Sequence, residues 1–204
     1  MNNKNMIRKK AIYPSIFFLM MGIAGIALIQ AAPAPTASVV PTSQEVIVGE
    51  QFNASVLIDP RDNHTVTAGS VTLVFNSTVI QAESAIAGDL WVSPNIVPGF
   101  PKIDNTNGTV RIDIYDLSHA DQTPPGNFTI ITFTVKENAS AGTYNLNLSA
   151  VGLMDENGQE ITGIIVTNGT VTIKKYPRWD INEDGVVDYK DLGILIAHYG
   201  EVRE

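Results

Sequence analysis

Ile131-Thr132-Phe133-Thr134-Val135 alternates large apolar and small polar residues without a break. With a period of two, one face of the segment is apolar and the other polar, as in a half-buried β-strand. The same reading extends over residues 128–136 and recurs at 45–48, 52–58, 69–75, 110–117, 142–151 and 169–174. Turn chemistry separates these runs: Asp59-Pro60, Asn107-Gly108, Pro124-Pro125-Gly126-Asn127, Ala141-Gly142 and Asn157-Gly158. No long stretch of helical period precedes residue 188. Seven or more short strands at this spacing predict an all-β, two-sheet sandwich.

The 204 residues hold one such domain and a small appendage. Boundaries fall at 1–34 (signal peptide or N-terminal membrane anchor), 35–44 (linker), 45–174 (sandwich), 175–179 (linker) and 180–204 (C-terminal repeat). The Pro/Ala-rich run at 33–42 reads as an extended spacer. Arg8-Lys9-Lys10 precedes an apolar run over 11–29, and Gln30-Ala31-Ala32-Pro33-Ala34-Pro35 supplies small residues suited to a signal peptidase. An uncleaved anchor is the alternative, since about 20 apolar residues span a bilayer.

All four charges of residues 1–34 are basic, which leaves 9 basic and 21 acidic residues, near −12, in the remainder. That balance excludes nucleic acid as a partner. Cysteine is absent, so there is no thiol nucleophile, zinc-thiolate site or disulfide framework. Asn53, Asn63, Asn76, Asn107, Asn127, Asn138, Asn147 and Asn168 all stand in Asn-x-Ser/Thr, well above chance for this composition. They mark candidate glycosylation sites and a secreted or cell-surface protein of an archaeal or eukaryotic exporter.

Residues 180–191 carry a calcium-loop pattern. Side-chain oxygens at Asp180, Asn182, Asp184, Asp188 and Asp191 occupy positions 1, 3, 5, 9 and 12, with the Val186 carbonyl at 7 and Gly185 at the sharp turn. Calcium takes six to eight hard oxygens, and this interleaving lets a short loop wrap the ion. Val187, at position 8, is expected to pack inward. Position 12 is Asp191 where an EF-hand has glutamate, and Pro177 bars an entering helix. The exiting helix presents Leu192, Leu195, Ile196 and Tyr199 on one face and ends at Gly200.

Residues 179–200 resemble one repeat of a dockerin module, which normally carries two. The sandwich is similar to a cohesin domain over about 46–173. The resemblance rests on Val48-Gly49-Glu50-Gln51-Phe52, on Ala68–Asn76 with Val79-Ile80 and Ala87-Gly88-Asp89-Leu90, on Ile131–Val135 followed by Ala141-Gly142-Thr143-Tyr144, and on Asn168–Ile173. It implies a nine-stranded jelly roll related to carbohydrate-binding modules. It also implies a sheet face that holds a dockerin helix, here through Ala68, Ser70 and Thr72. The expected function is an extracellular scaffold or adaptor of the cell surface, binding dockerin- or cohesin-bearing partners or associating with itself, with Ca2+ as its cofactor. The alternatives are a glycosylated structural sandwich or a polysaccharide-binding module, in which Trp91, Phe100 and Tyr115 would stack on a sugar.

No catalytic constellation appears. Asp113 and Asp116 fall on opposite faces of a strand, whereas a glycosidase needs two carboxyls facing one bond. His64, His119 and His198 are scattered, and no serine stands in a nucleophile elbow. The chain therefore reads as a non-enzyme.

Overall fold

Alternation gives each strand one face that leaves water, so two sheets that share their apolar faces are the expected solution. A computed structural model describes residues 33–61, 65–91, 95–117, 123–177 and 179–200. Among them are the strands β1 (Thr36–Val40), β2 (Ser43–Ile47), β3 (Gln51–Asp59), β4 (Ala68–Val74), β5 (Ile80–Ala87), β6 (Ile96–Pro98), β7 (Lys102–Asp104), β8 (Thr109–Asp116), β9 (Gly126–Val135), β10 (Gly142–Met154), β11 (Ile165–Thr167) and β12 (Gly169–Lys174), followed by the helix α1 (Tyr189–Ala197). Nine of the strands have five residues or more, and β6, β7 and β11 have three each.

One sheet runs β11-β1-β3-β9-β5, and the other runs β2-β12-β10-β4-β8-β6 with β7 also paired to β8. The two sheets form the predicted jelly-roll sandwich. Phe133 lies in its middle, stacked on Phe52 and edge-on to Phe75, each at 5.2 Å between ring centroids. Such ring pairs add roughly 0.5–1.5 kcal/mol beyond their area burial. Gly69 faces the core, and a Cβ there would run into the Phe128 ring.

The reading of 35–44 as a linker is corrected. β1 and the start of β2 lie within it, and Ala37 and Val39 are fully buried, so the sandwich begins at Thr36. The prolines at 35 and 41 only flank β1, where the ladder does not need their missing N–H groups. β5 was not anticipated as a strand because a bulge between Ala82 and Ser84 shifts its inward residues from Ile80 and Ala82 to Ala85, which breaks the alternation.

The described residues from 33 to 200 fall in one unit. The signal-peptide or anchor reading thus lies almost wholly outside the described residues, and no described helix is long and apolar enough to cross a membrane.

Candidate functional site

The outer face of the larger sheet is a grid set by strand register. Its top row is Met154, Ala68, Tyr115 and Val97, contributed by β10, β4, β8 and β6. Below it stand Gly152, Ser70 and Asp113, then Ala150, Thr72 and Arg111, with Lys102 of β7 beside Arg111. Residues that share a row on one face are cross-strand neighbours about 5 Å apart. The three sequence-predicted positions on β4 therefore occupy the centre of this face. Small side chains there leave a hollow of about 250 Å³ lined by Ala68, Ser70 and Gly152 together with Arg111, Asp113, Tyr115, Met154 and Glu160.

The charged pair on the face is local. The Arg111 guanidinium donates to one oxygen of Asp113 from both Nε (3.1 Å) and Nη2 (2.9 Å). These bonds hold the Asp113 carboxyl below the usual carboxylate range and raise the guanidinium further. Arg111, Asp113, Tyr115, Gly152, Met154 and Glu160 were not assigned to the site from sequence. Alternation alone marks Arg111, Asp113 and Tyr115 as outward, but which strands lie beside β4 comes from topology.

The C-terminal loop is built around two buried carboxylates. Asp180 accepts the Asp184 N–H (3.1 Å) and the Gly185 N–H (2.8 Å), and Gly185 takes φ of +92° to make the turn. Asp191 accepts N–H groups from Ile181 (2.6 Å) and Asn182 (3.2 Å) on one oxygen and from Asp188 (2.7 Å) on the other. The last of these closes a capping box, because Asp188 in turn caps the start of α1. The Asp188 N–H is also the chief reason that the Asp191 carboxyl is held below its ordinary value. Lys190 reaches Asp184 at 3.1 Å and Asp188 at 3.8 Å. Its bond keeps the Asp184 carboxyl low.

The expected ligand residues thus gather on one loop. Their arrangement serves the backbone, however: among the described residues no three His, Cys, Asp or Glu side chains converge as a metal group. In residue type the donor set still fits calcium, since it offers hard oxygens only.

Two details of the tail differ from expectation. Val187 is 54% exposed, because no described segment packs against the loop from that side. Tyr199 lies beyond the last helical residue, Ala197, while Leu192, Leu195 and Ile196 stay on α1; all four are more than half exposed. Helix geometry ends one turn early because His198 already caps the chain, ahead of the left-handed Gly200.

Of the aromatics, Trp91 belongs to the core. It is 6% exposed, lies edge-on to Phe128 and donates from Nε1 to the Phe128 carbonyl at 3.0 Å. The sugar-stacking role considered for it is overturned, since its ring faces are covered. Phe100 and Tyr115 are exposed. Among the sequons, Asn147 stands opposite Val74, on the outer face of the larger sheet one row below Ala150 and Thr72. Asn53 lies on the other sheet, bonded to Thr132, and Asn76, Asn107 and Asn138 are exposed in loops and turns. Asn127 is half-buried at the start of β9, and Asn168 accepts the Leu148 N–H. Asn63 lies outside the described residues.

A family model described as "Cohesin domain" matches residues 36–173, more than half of the chain. No curated protein matches it in sequence. Solved structures do in fold. A non-cellulosomal cohesin from the archaeon Archaeoglobus fulgidus is 18% identical with a TM-score of 0.56, covering 70% of this chain and 93% of that one. The seventh ScaB type I cohesin from Pseudobacteroides cellulosolvens is 19% identical with a TM-score of 0.58 and the same coverage. The cohesin of a type I cohesin–dockerin complex from Clostridium thermocellum is 12% identical with a TM-score of 0.60, covering 70% of this chain and all of that one.

Proposed function

The chain belongs to the cohesin-domain family, and on that premise we propose that it is an extracellular scaffolding or adaptor protein that binds dockerin-bearing partners. The observation that carries this is the outer face of β10, β4 and β8. Its centre is paved with small residues, Ala68, Ser70, Thr72 and Gly152, so that a helix axis can approach closely, and exposed side chains border it. Several similar structures are of cohesins in complex with dockerins.

The C-terminal segment acts in this reading as a dockerin-like half-repeat that binds calcium through Asp180, Asn182, Asp184, Val186, Asp188 and Asp191. The ion would cross-link the loop and fix the start of α1. The exposed Leu192, Leu195, Ile196 and Tyr199 then form the surface of the half-repeat that meets a cohesin-bearing protein or a second copy. Location outside the cell, at an archaeal-type surface, rests on the sequon excess and the basic-then-apolar start of the chain.

Titration of the full chain with a purified dockerin module, with calcium and with chelator, tests this reading. Saturable binding supports it. Its absence under both conditions, across a panel of dockerins, refutes it.

A further inference from the structure

We propose that the end of the sandwich where the turns at 76–79, 104–108 and 136–140 meet is a glycan-bearing pole, with N-linked oligosaccharides on Asn76, Asn107 and Asn138 and none on Asn127. Glycosylation depends on the extracellular location proposed above, and the fold adds which sequons carry it. Hydrogen bonds lace the three turns together although they lie far apart along the chain. The Phe75 N–H donates to the Gly108 carbonyl at 2.8 Å, and the Ser77 hydroxyl donates to the Thr106 carbonyl at 3.1 Å. Lys136 reaches the first turn from the other side, its N–H on the Val79 carbonyl at 2.9 Å and its Nζ on the Ser77 carbonyl at 2.7 Å. Asn76, Asn107 and Asn138 are all exposed there.

The modification joins Nδ2 to the anomeric carbon of an oligosaccharide and breaks that carbon's bond to the phosphate of a polyprenyl carrier. One Nδ2 proton passes to a base of the transferase, and the carrier phosphate leaves with the bonding electron pair. At Asn76 the amide oxygen accepts the N–H (2.9 Å) and the hydroxyl (2.7 Å) of Thr78, the third residue of its own sequon, so the carboxamide is held by its oxygen. At Asn107, Nδ2 donates to Asp104 at 2.7 Å, and the second of its two hydrogens remains for replacement. Asn127 differs. It is half-buried, its N–H donates to Asp89, and it packs so closely on Gly88 that a Cβ there would collide with it. A sugar on Asn127 would have to break that contact. From Ala68 to Asn76 the chain advances roughly 25 Å at the rise of a strand, so the pole leaves the top rows of the docking face open.

The full chain is produced in a eukaryotic N-glycosylating host, once with its own residues 1–34 and once with a host secretion signal in their place. Peptide-N-glycosidase in heavy-oxygen water converts each glycosylated asparagine to a labelled aspartate, which peptide mass spectrometry locates. An enzyme-free control measures spontaneous deamidation at Asn107-Gly108. With the host signal, Asn76, Asn107 and Asn138 are expected to carry the label and Asn127 to lack it. Equal labelling of Asn127, or absence of the label from any of the three, overturns the proposal. Labels that appear with the host signal but not with the native start defeat the extracellular reading and leave the pole in place. Removal of the glycans from Asn76, Asn107 and Asn138, by replacing all three with glutamine, is expected to change dockerin affinity by no more than about twofold, as for sites that share no contact. A larger change overturns the separation of the pole from the docking rows. The mass readout decides the pole whether or not a dockerin binds.

Discussion

Removing Trp91 separates a core residue from a sugar platform. In the structure its indole is 6% exposed, packs edge-on to Phe128 at 5.1 Å, and donates to the Phe128 carbonyl at 3.0 Å. Trp91→Ala leaves a cavity the size of the ring, and such truncations cost about 3–5 kcal/mol. For a domain of this size each kcal/mol moves the midpoint by roughly 2–4 °C, so the melting temperature should fall by roughly 6–20 °C. Trp91→Phe keeps most of the packing and loses the indole N–H. The Phe128 carbonyl still accepts the Gly88 N–H at 3.0 Å, so it is not orphaned. The cost should then be about 1–2 kcal/mol, one hydrogen bond and a smaller void. Calorimetry and urea unfolding of both variants measure these values, alongside a polysaccharide pull-down of the native chain and Trp91→Phe. A loss below about 0.5 kcal/mol for Trp91→Ala, the range of ordinary surface substitutions, would refute the placement. So would native stability in Trp91→Phe combined with lost polysaccharide binding.

Lys190→Met should tighten calcium binding about two- to fivefold at low salt, because the ammonium competes for Asp184 and Asp188. Titration calorimetry checks this, and unchanged or weaker affinity contradicts it. The Asp104 carboxyl is held low, first by the Asn107 N–H and side chain. Because its folded value lies below the unfolded one, its contribution is full above about pH 4 and fades as pH falls through the lowered value. Asp104→Ala should therefore destabilise the chain at pH 7 and do so progressively less as pH falls below about 4, as read by thermal melts. A loss that stays the same as pH falls argues against it. In a glycosylating host, Asn147→Gln should strengthen dockerin binding by clearing the face, whereas Asn53→Gln on the other sheet should not. Biolayer interferometry that finds the two variants alike would remove Asn147 from the face.

The strands that keep a strict period were legible in the sequence. β3 shows Phe52, Ala54, Val56 and Ile58 inward, and β9 shows Ile131, Phe133 and Val135, as the alternation requires, although a register shift at Phe128-Thr129 breaks the period at the start of β9. β5 was hidden because its bulge changes phase midway, and β1 because alanine and proline dilute a five-residue signal to the point where composition suggests a spacer. The candidate face was legible only along β4. Glu160 reaches it from a turn after β10, and Arg111 from a strand about 40 residues away, through pairings that no local pattern encodes. The loop at 180–191 was plain from residue type and spacing. The inward packing expected of Val187 was not met, since that needs a partner surface that the loop itself does not supply.

The central claim is tested most directly by one titration: a purified dockerin module against the full chain and against Ser70→Trp, with folding of both confirmed by their melting curves. Ser70 lies at the centre of the face with its side chain outward, so the indole blocks docking without entering the core. The account predicts saturable binding to the native chain and at least a hundredfold loss in the variant, which corresponds to roughly 2.8 kcal/mol. Equal affinity for the two would show that the partner docks elsewhere and contradict the account.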